Sequence, residues 1–381
     1  MQKKKIVSII SWMIIVIVMC ICMNYDWRQL NDYKQYNTSS LSYVSATVLS
    51  IEKENLTKDS DDGSRYYGTQ QIIVKIDEGK YEGEKKEIIN YLSTSSNVRV
   101  WEGARVIICV DAPQNAEPYF TVYNYNRSIS IGMIFMMFVA GMLLVGGKKG
   151  INSLAALILT MFFILGILIP AIYHGINVIL ITSITLLGVI FTALYVMNGI
   201  EKKTVLFAAS TASGILVGAL FCAVSEKLLR INGYHFPEAE SLLLISQSTG
   251  LQVKQLLFAG VLISSLGAVM DVGVSIVSSL YEVKRANPSQ ESKDLFKAGM
   301  NIGKDMIGTM SNTLILAFTG SSLTTMLLLM AFGYQPVQLL NSDYLAIELV
   351  KAISSTFAVV MTVPTAAVIS AAFIKKSDVE G

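Results

Sequence analysis

From Ile129 onward the chain is a succession of long apolar runs, at about 129–146, 152–170, 176–197, 204–225, 251–280, 306–332 and 344–373, cut apart by short charged or turn-forming segments. A helix of roughly 18 or more apolar residues matches the ~30 Å hydrocarbon core of a bilayer. In lipid every backbone polar group has to be satisfied inside the segment or its bundle, which leaves helices as the solution for runs of this kind. This part of the chain is therefore expected to be a bundle of transmembrane helices. Another run, Ile6 to Met23, follows Lys3, Lys4 and Lys5. It brings the expected number of spans to eight.

The block between the first run and the others has a different composition. Residues 24–128 carry 27 charged side chains in 105 positions, whereas the other 276 residues carry 31. The first density is that of a soluble domain and the second that of a membrane domain. Three parts follow: an N-terminal transmembrane anchor at 1–23, an extracytoplasmic β domain at 24–128, and a seven-helix transmembrane domain at 129–381. A cleaved signal peptide has the same basic-then-apolar layout as the anchor. However, no small-x-small site follows Cys22, and Met19-Cys20 does not fit a lipoprotein box. In either case residues 24–128 lie outside the cytoplasm.

Orientation follows from the positive-inside rule. With eight spans both termini are cytoplasmic, and the inner loops then hold Lys148 and Lys149, Lys202 and Lys203, Lys284, Arg285, Lys293 and Lys297, and the tail Lys375 and Lys376. The outer turns near Tyr173 to Gly175 and Gly333 to Asp343 hold no Lys or Arg. One outer segment, 226–250, departs from the pattern with Lys227 and Arg230. Within it, Pro237 to Ile245 reads as a short amphipathic surface helix. The inner loop from Glu282 to Lys297 contains the turn Asn287-Pro288 and is expected to lead into an interfacial helix ending at Gly299.

The outer block alternates as β-strands do. Runs at 44–51, 71–76, 86–92, 98–101, 105–110 and 119–125 are rich in β-branched residues, with turn signals at Asp62-Gly63 and Glu78-Gly79 between them. Five or six short strands in about 100 residues suggest a small all-β barrel or sandwich. Asp59, Asp61 and Asp62 do not make a calcium loop, because Gly63 falls one position early and no Glu closes it.

Several chemistries find no support. The chain has no Walker A, Gly-x-Ser-x-Gly or HExxH motif, and its two histidines, His174 and His235, lie in turns. Of its four cysteines, Cys20, Cys22 and Cys222 fall in apolar runs and Cys109 stands alone outside, so no disulfide framework or zinc spacing arises. No catalytic residues, metal site or cofactor are expected, and the net charge of +2 gives no bias toward nucleic acid. The bilayer is the one partner that composition implies.

Polar residues inside the apolar runs are the candidates for function. A carboxylate at the bilayer centre costs roughly 2.5 to 3.5 kcal/mol on insertion scales, so it needs a partner or water. Asp271 sits deep in the run 251–280, and its neighbours at helical spacing are Ser264, Gly267, Ser275 and Ser278. The next run opens with Lys304-Asp305 and continues on one face through Gly308, Asn312, Thr319 and Ser322. The last run holds Glu348 and Lys351, then Ser355 and Thr362, and Pro364 is expected to kink or break it. Three such helices around one pocket would give a substrate- or ion-binding path, with Asp271 at its centre and Ser264, Ser275, Lys304, Asp305, Asn312, Glu348 and Lys351 around it. Against this, charges near helix ends snorkel to the interface, and small residues also serve close packing.

The stretch Leu266 to Ile276 around Asp271, then Glu282, then Ala298-Gly-Met-Asn-Ile-Gly-Lys-Asp-Met-Ile-Gly-Thr-Met-Ser-Asn-Thr-Leu314, resembles the signature of the YibE/F-like family of multipass bacterial membrane proteins. Gly233 to Gly250 and Leu257 to Gly260 fit as well. So do Gly79 to Glu84, Asn90 to Leu92 and Gly103 to Val106 in the outer block. Met270 stands where many relatives are expected to carry a second acidic residue. The resemblance implies a bacterial cytoplasmic membrane and a YibE-like member, with a YibF-like homologous membrane partner or a homo-oligomer as its assembly. Two functions fit these residues: a transporter or permease component, or a non-catalytic scaffold whose β domain binds an envelope partner.

Overall fold

The computed structural model describes residues 40–378 except 61–62, 114–115, 200 and 237. The expected anchor at 1–23 lies outside the described residues. Around residue 145 the chain divides into two compact units.

The first unit is built on one five-stranded antiparallel sheet: β1 (Leu41–Lys58), β2 (Tyr66–Ile76), β3 (Lys85–Leu92), β4 (Arg105–Asp111) and β5 (Tyr119–Tyr125). The strand order is β3-β2-β1-β4-β5. Strand β1 is long because it serves two neighbours. Its first half pairs with β4 and its second with β2, and register shifts at Val48/Ser50 and Ile51/Lys53 bend it between them. The sheet curls into a half-barrel, bringing its edges near each other: Lys86 of β3 lies 5.3 Å over the Phe120 ring of β5. This is the strand arrangement of partly open, five-stranded Greek-key barrels of the OB type. Alternate residues point inward, so Val44, Ala46, Val48, Ile72, Val74, Ile76, Val106, Ile108 and Val110 form the core.

The run 98–101, read from sequence as a strand, is not one. Val98 and Val100 are buried, but their backbone bonds to side chains instead of to a neighbouring strand. Val100 N–H donates to Gln70 Oε1 and Gln70 Nε2 donates to Val100 O, each at 3.0 Å. Asn90 Nδ2 donates to Val98 O at 2.8 Å and to Gln70 Oε1 at 3.1 Å. Two fully enclosed amides thus do the work of a ladder partner, which satisfies both the segment and themselves.

Among the described residues, six helical stretches are long and apolar enough to cross a membrane: Ser128–Tyr173, Val178–Asn198, Lys202–Leu229, Val253–Ala286, Ser292–Ala331 and Asp343–Phe373. The first stretch joins the apolar runs at 129–146 and 152–170, expected as two spans, into one helical stretch. It comprises α1 (Ser128–Phe162), a π-helical segment (Phe163–Leu168) and α2 (Ile169–Tyr173). At 46 residues it is about twice the length one crossing needs. Its one non-helical point is Gly147, with φ 51° and ψ −130°, a conformation open to glycine and closed to most L side chains.

The remaining elements are α3 (Val178–Asn198), α4 (Lys202–Leu229), α5 (Ala239–Thr249), α6 (Leu256–Ala286), α7 (Ser292–Ala331), α8 (Pro336–Leu340) and α9 (Asp343–Phe373). The expected interfacial helix ending at Gly299 does not exist separately. Residues 292–331 form one continuous 40-residue helix, within which Gly299 and Gly303 are buried. Helix α9 also runs unbroken through Pro364.

Helix α9 is the hub of the second unit and packs on α4, α6 and α7. Two pairs of glycines at spacing four permit this. A Cβ at Gly214 or Gly218 of α4 would overlap Thr362 or Ala358, and a Cβ at Gly303 of α7 would overlap Val363. At Gly299 it would stand 2.9 Å from Ala367. Small residues at this spacing let helix backbones approach closely where lipid supplies no hydrophobic drive. Leu266, Val269, Val272 and Ile276 of α6 complete the core with Val359 and Val363 of α9 and Phe207 of α4. The tail returns to the start of α4, where Asp378 Oδ1 accepts from Lys202 Nζ at 2.5 Å. That bond, with one from the Lys375 N–H, holds the Asp378 carboxyl below its ordinary range.

Candidate functional site

Helix α9 presents Glu348, Lys351 and Ser355 at spacings of three and four, so they share one face. Lys351 Nζ donates to Glu348 Oε1 at 2.8 Å, and Ser322 Oγ of α7 donates to Glu348 Oε2 at 2.8 Å. Lys351 Nζ also lies 5.1 Å over the Phe236 ring. The two charges are mostly enclosed, with 24% and 15% of the Lys351 and Glu348 side chains exposed. The pair neutralises itself, and Ser322 takes up the second carboxylate oxygen, as a charge inside an apolar span requires. One turn along, Ser355 Oγ and Ser264 Oγ of α6 are 3.0 Å apart, and Ser264 also donates to Val261 O. These contacts make a polar seam where α9 meets α6 and α7.

Asp271 lies outside that seam. It is seven residues beyond Ser264 on α6, a rise of about 10 Å, and its side chain is exposed. No hydrogen bond or ion pair reaches it among the described residues. Ser275, one turn on, is half-buried. Gly260 and Gly267 lie on the same face, and a Cβ added at either meets nothing within 4 Å. The face of α6 that carries Asp271 is therefore an open, shallow strip.

Helix α7 is open in the same way. Of its 40 residues only Leu295, Gly299, Gly303 and Ser322 are buried. Lys304, Asp305 and Asn312 are all exposed and make no bond to Asp271, nor any other among the described residues. The structure thus bonds Glu348 to Lys351 and Ser322, bonds Ser264 separately to Ser355, keeps Ser275 half-buried, and leaves Asp271, Lys304, Asp305 and Asn312 on exposed helix faces. Ser322 and Ser355 belong to the seam although neither was singled out as a binding residue. The signal for Ser355 was its helical phase with Glu348, whereas Ser322, ten residues from Asn312 and about 80° round α7 from it, is buried where Asn312 is exposed. Among the described residues no three His, Cys, Asp or Glu side chains come together as metal ligands.

The family model for YibE/F-like proteins matches residues 134–376. The chain belongs to the YibE/F-like family. The match takes in every helix that carries the seam and the Asp271 strip, and begins after the last strand, β5, has ended. No curated protein and no solved structure matches the chain. Family membership and the six apolar helices together make it a membrane protein.

Proposed function

We propose that this protein is a non-enzymatic transporter or permease component of the bacterial cytoplasmic membrane, with both termini cytoplasmic, and that the Asp271 strip of α6 forms part of its path. The observation that carries this reading is an intramembrane carboxylate with no bonded partner among the described residues. It lies beside Gly260 and Gly267, over which no side chain packs. A bare carboxylate facing lipid is disfavoured by several kcal/mol, so the strip faces water or another polar surface when the protein is at work. A carboxylate so placed can take up and release a proton or a cation as access changes.

The test is accessibility at that position. Asp271→Cys is made in a chain lacking Cys20, Cys22, Cys109 and Cys222, and treated in sealed membranes with a membrane-impermeant thiol reagent. Labelling from either side supports a water-filled path. An unlabelled cysteine in correctly assembled protein makes the strip dry and sinks the transport reading.

A second reading, a scaffold, is favoured by a different observation. The sheet unit exposes Tyr43, Tyr91, Trp101, Tyr119 and Tyr123, the residue types enriched where proteins meet partners. In that reading the sheet unit binds an envelope component. The open faces of α6 and α7 are then covered by a second copy or a homologous membrane partner. Asp271→Asn separates the two, since transport is lost with assembly intact in the first and assembly itself changes in the second.

A further inference from the structure

The end of α4 and the start of α6 border an open cavity of about 500 Å³, within the range of small-molecule sites. Three cations line it: Lys227 and Arg230 from the end of α4, and Lys254 from the turn before α6. A single carboxylate, Glu226, accompanies them. All three cations are exposed, and none makes a side-chain hydrogen bond or ion pair among the described residues. Ile179 and Phe258 supply an apolar wall.

Three cations against one carboxylate leave the cavity with an excess of positive charge, which an anion seated among them offsets. The guanidinium offers a planar fork of donors that fits an oxyanion, and the ammonium groups act as point charges beside it. The placement is also at odds with topology alone. In the orientation expected from sequence, Lys227 and Arg230 are the basic residues that depart from the positive-inside pattern, and Lys254 joins them from 24 positions further on. Arg230 caps α4 with φ 56°, the one described non-glycine residue with positive φ.

We propose that this cavity binds a phosphate group, carried either by a lipid headgroup or by a soluble phosphate compound, with Lys227, Arg230 and Lys254 as its ligands and the Ile179–Phe258 wall against the carbon part of the molecule. This inference is independent of the role given to Asp271.

The full chain is tested in two settings. In detergent, inorganic phosphate is titrated calorimetrically. In phosphatidylcholine nanodiscs doped with phosphatidylglycerol, retention of the anionic lipid is read by native mass spectrometry. Arg230→Gly is the central variant, because glycine takes positive φ freely and removes the cation without straining the cap. Lys227→Gln with Lys254→Gln is the second. Each weakens binding by about tenfold or more, as expected for losing a charge-assisted hydrogen bond. Phosphate affinity that falls in the variants identifies a soluble phosphate ligand. Phosphatidylglycerol retention that falls instead identifies a lipid headgroup. Equal behaviour of wild type and both variants toward both probes, with Arg230→Gly melting as wild type does, overturns the proposal.

Discussion

At the scale of single residues, two glycines of one helix illustrate how much the surroundings decide. Gly303 and Gly308 are both exposed to the same helical penalty relative to alanine, about 0.5–1 kcal/mol. Yet a Cβ at Gly303 collides with Val363, and one at Gly308 meets nothing within 4 Å. Gly308→Ala is therefore expected to raise the melting temperature of the detergent-solubilised protein slightly. Gly303→Ala is expected to lower it, overpacking costing about 1–3 kcal/mol. Equal shifts would show that α7 does not rest on α9 through this contact. In the sheet unit Gln70 is the residue with most at stake. Gln70→Ala leaves the Val100 N–H and C=O unpaired in a buried place, at about 1–3 kcal/mol for each group. Faster amide exchange at 98–100 in the full-length protein, with β1 exchange little changed, is the expected result. Unaltered protection at 98–100 would mean the amides are dispensable.

The same rules set the elements, but their outcome depends on what lies beside each helix. The sequence pattern of α6 and of α7 is similar: an apolar helix with a stripe of small and polar residues. On α9 such a stripe is covered, and Glu348, Lys351 and Ser355 find Ser322 and Ser264. On α7 the stripe of Lys304, Asp305, Gly308 and Asn312 is uncovered over several turns. A charged helix face has no stable place in lipid, and a second copy of this chain is one polar surface that would cover it. A single cysteine replacing Asn312, in a cysteine-free chain within native membranes, is accordingly expected to cross-link to a second copy on oxidation. Absence of any cross-linked pair from positions 308 to 312 would assign the covering surface to something other than another copy.

For the whole molecule, the presence of an all-β part followed by a helical part was legible in the sequence, because it rests on charge density and on the change from two-residue to helical periodicity. Membrane character was equally plain, since the length of an apolar run is fixed by the thickness of the bilayer. Five of the six strand runs were readable, and the exception is instructive. Residues 98–101 have strand composition, but Gln70 and Asn90, far apart in sequence, supply their hydrogen bonds. The family signature around Asp271 and Gly303 could also be read, though not the different jobs of its parts. Gly299 and Gly303 pack on α9, while Asp271 stands on an open strip. Helical phase determines which residues share a face. It contains nothing about which helix, if any, lies against that face, because that depends on contacts between segments tens of residues apart. Lys254 meeting Lys227 and Arg230 at one cavity, and Ser264 meeting Ser355, are contacts of that kind, and only the tertiary structure decided them.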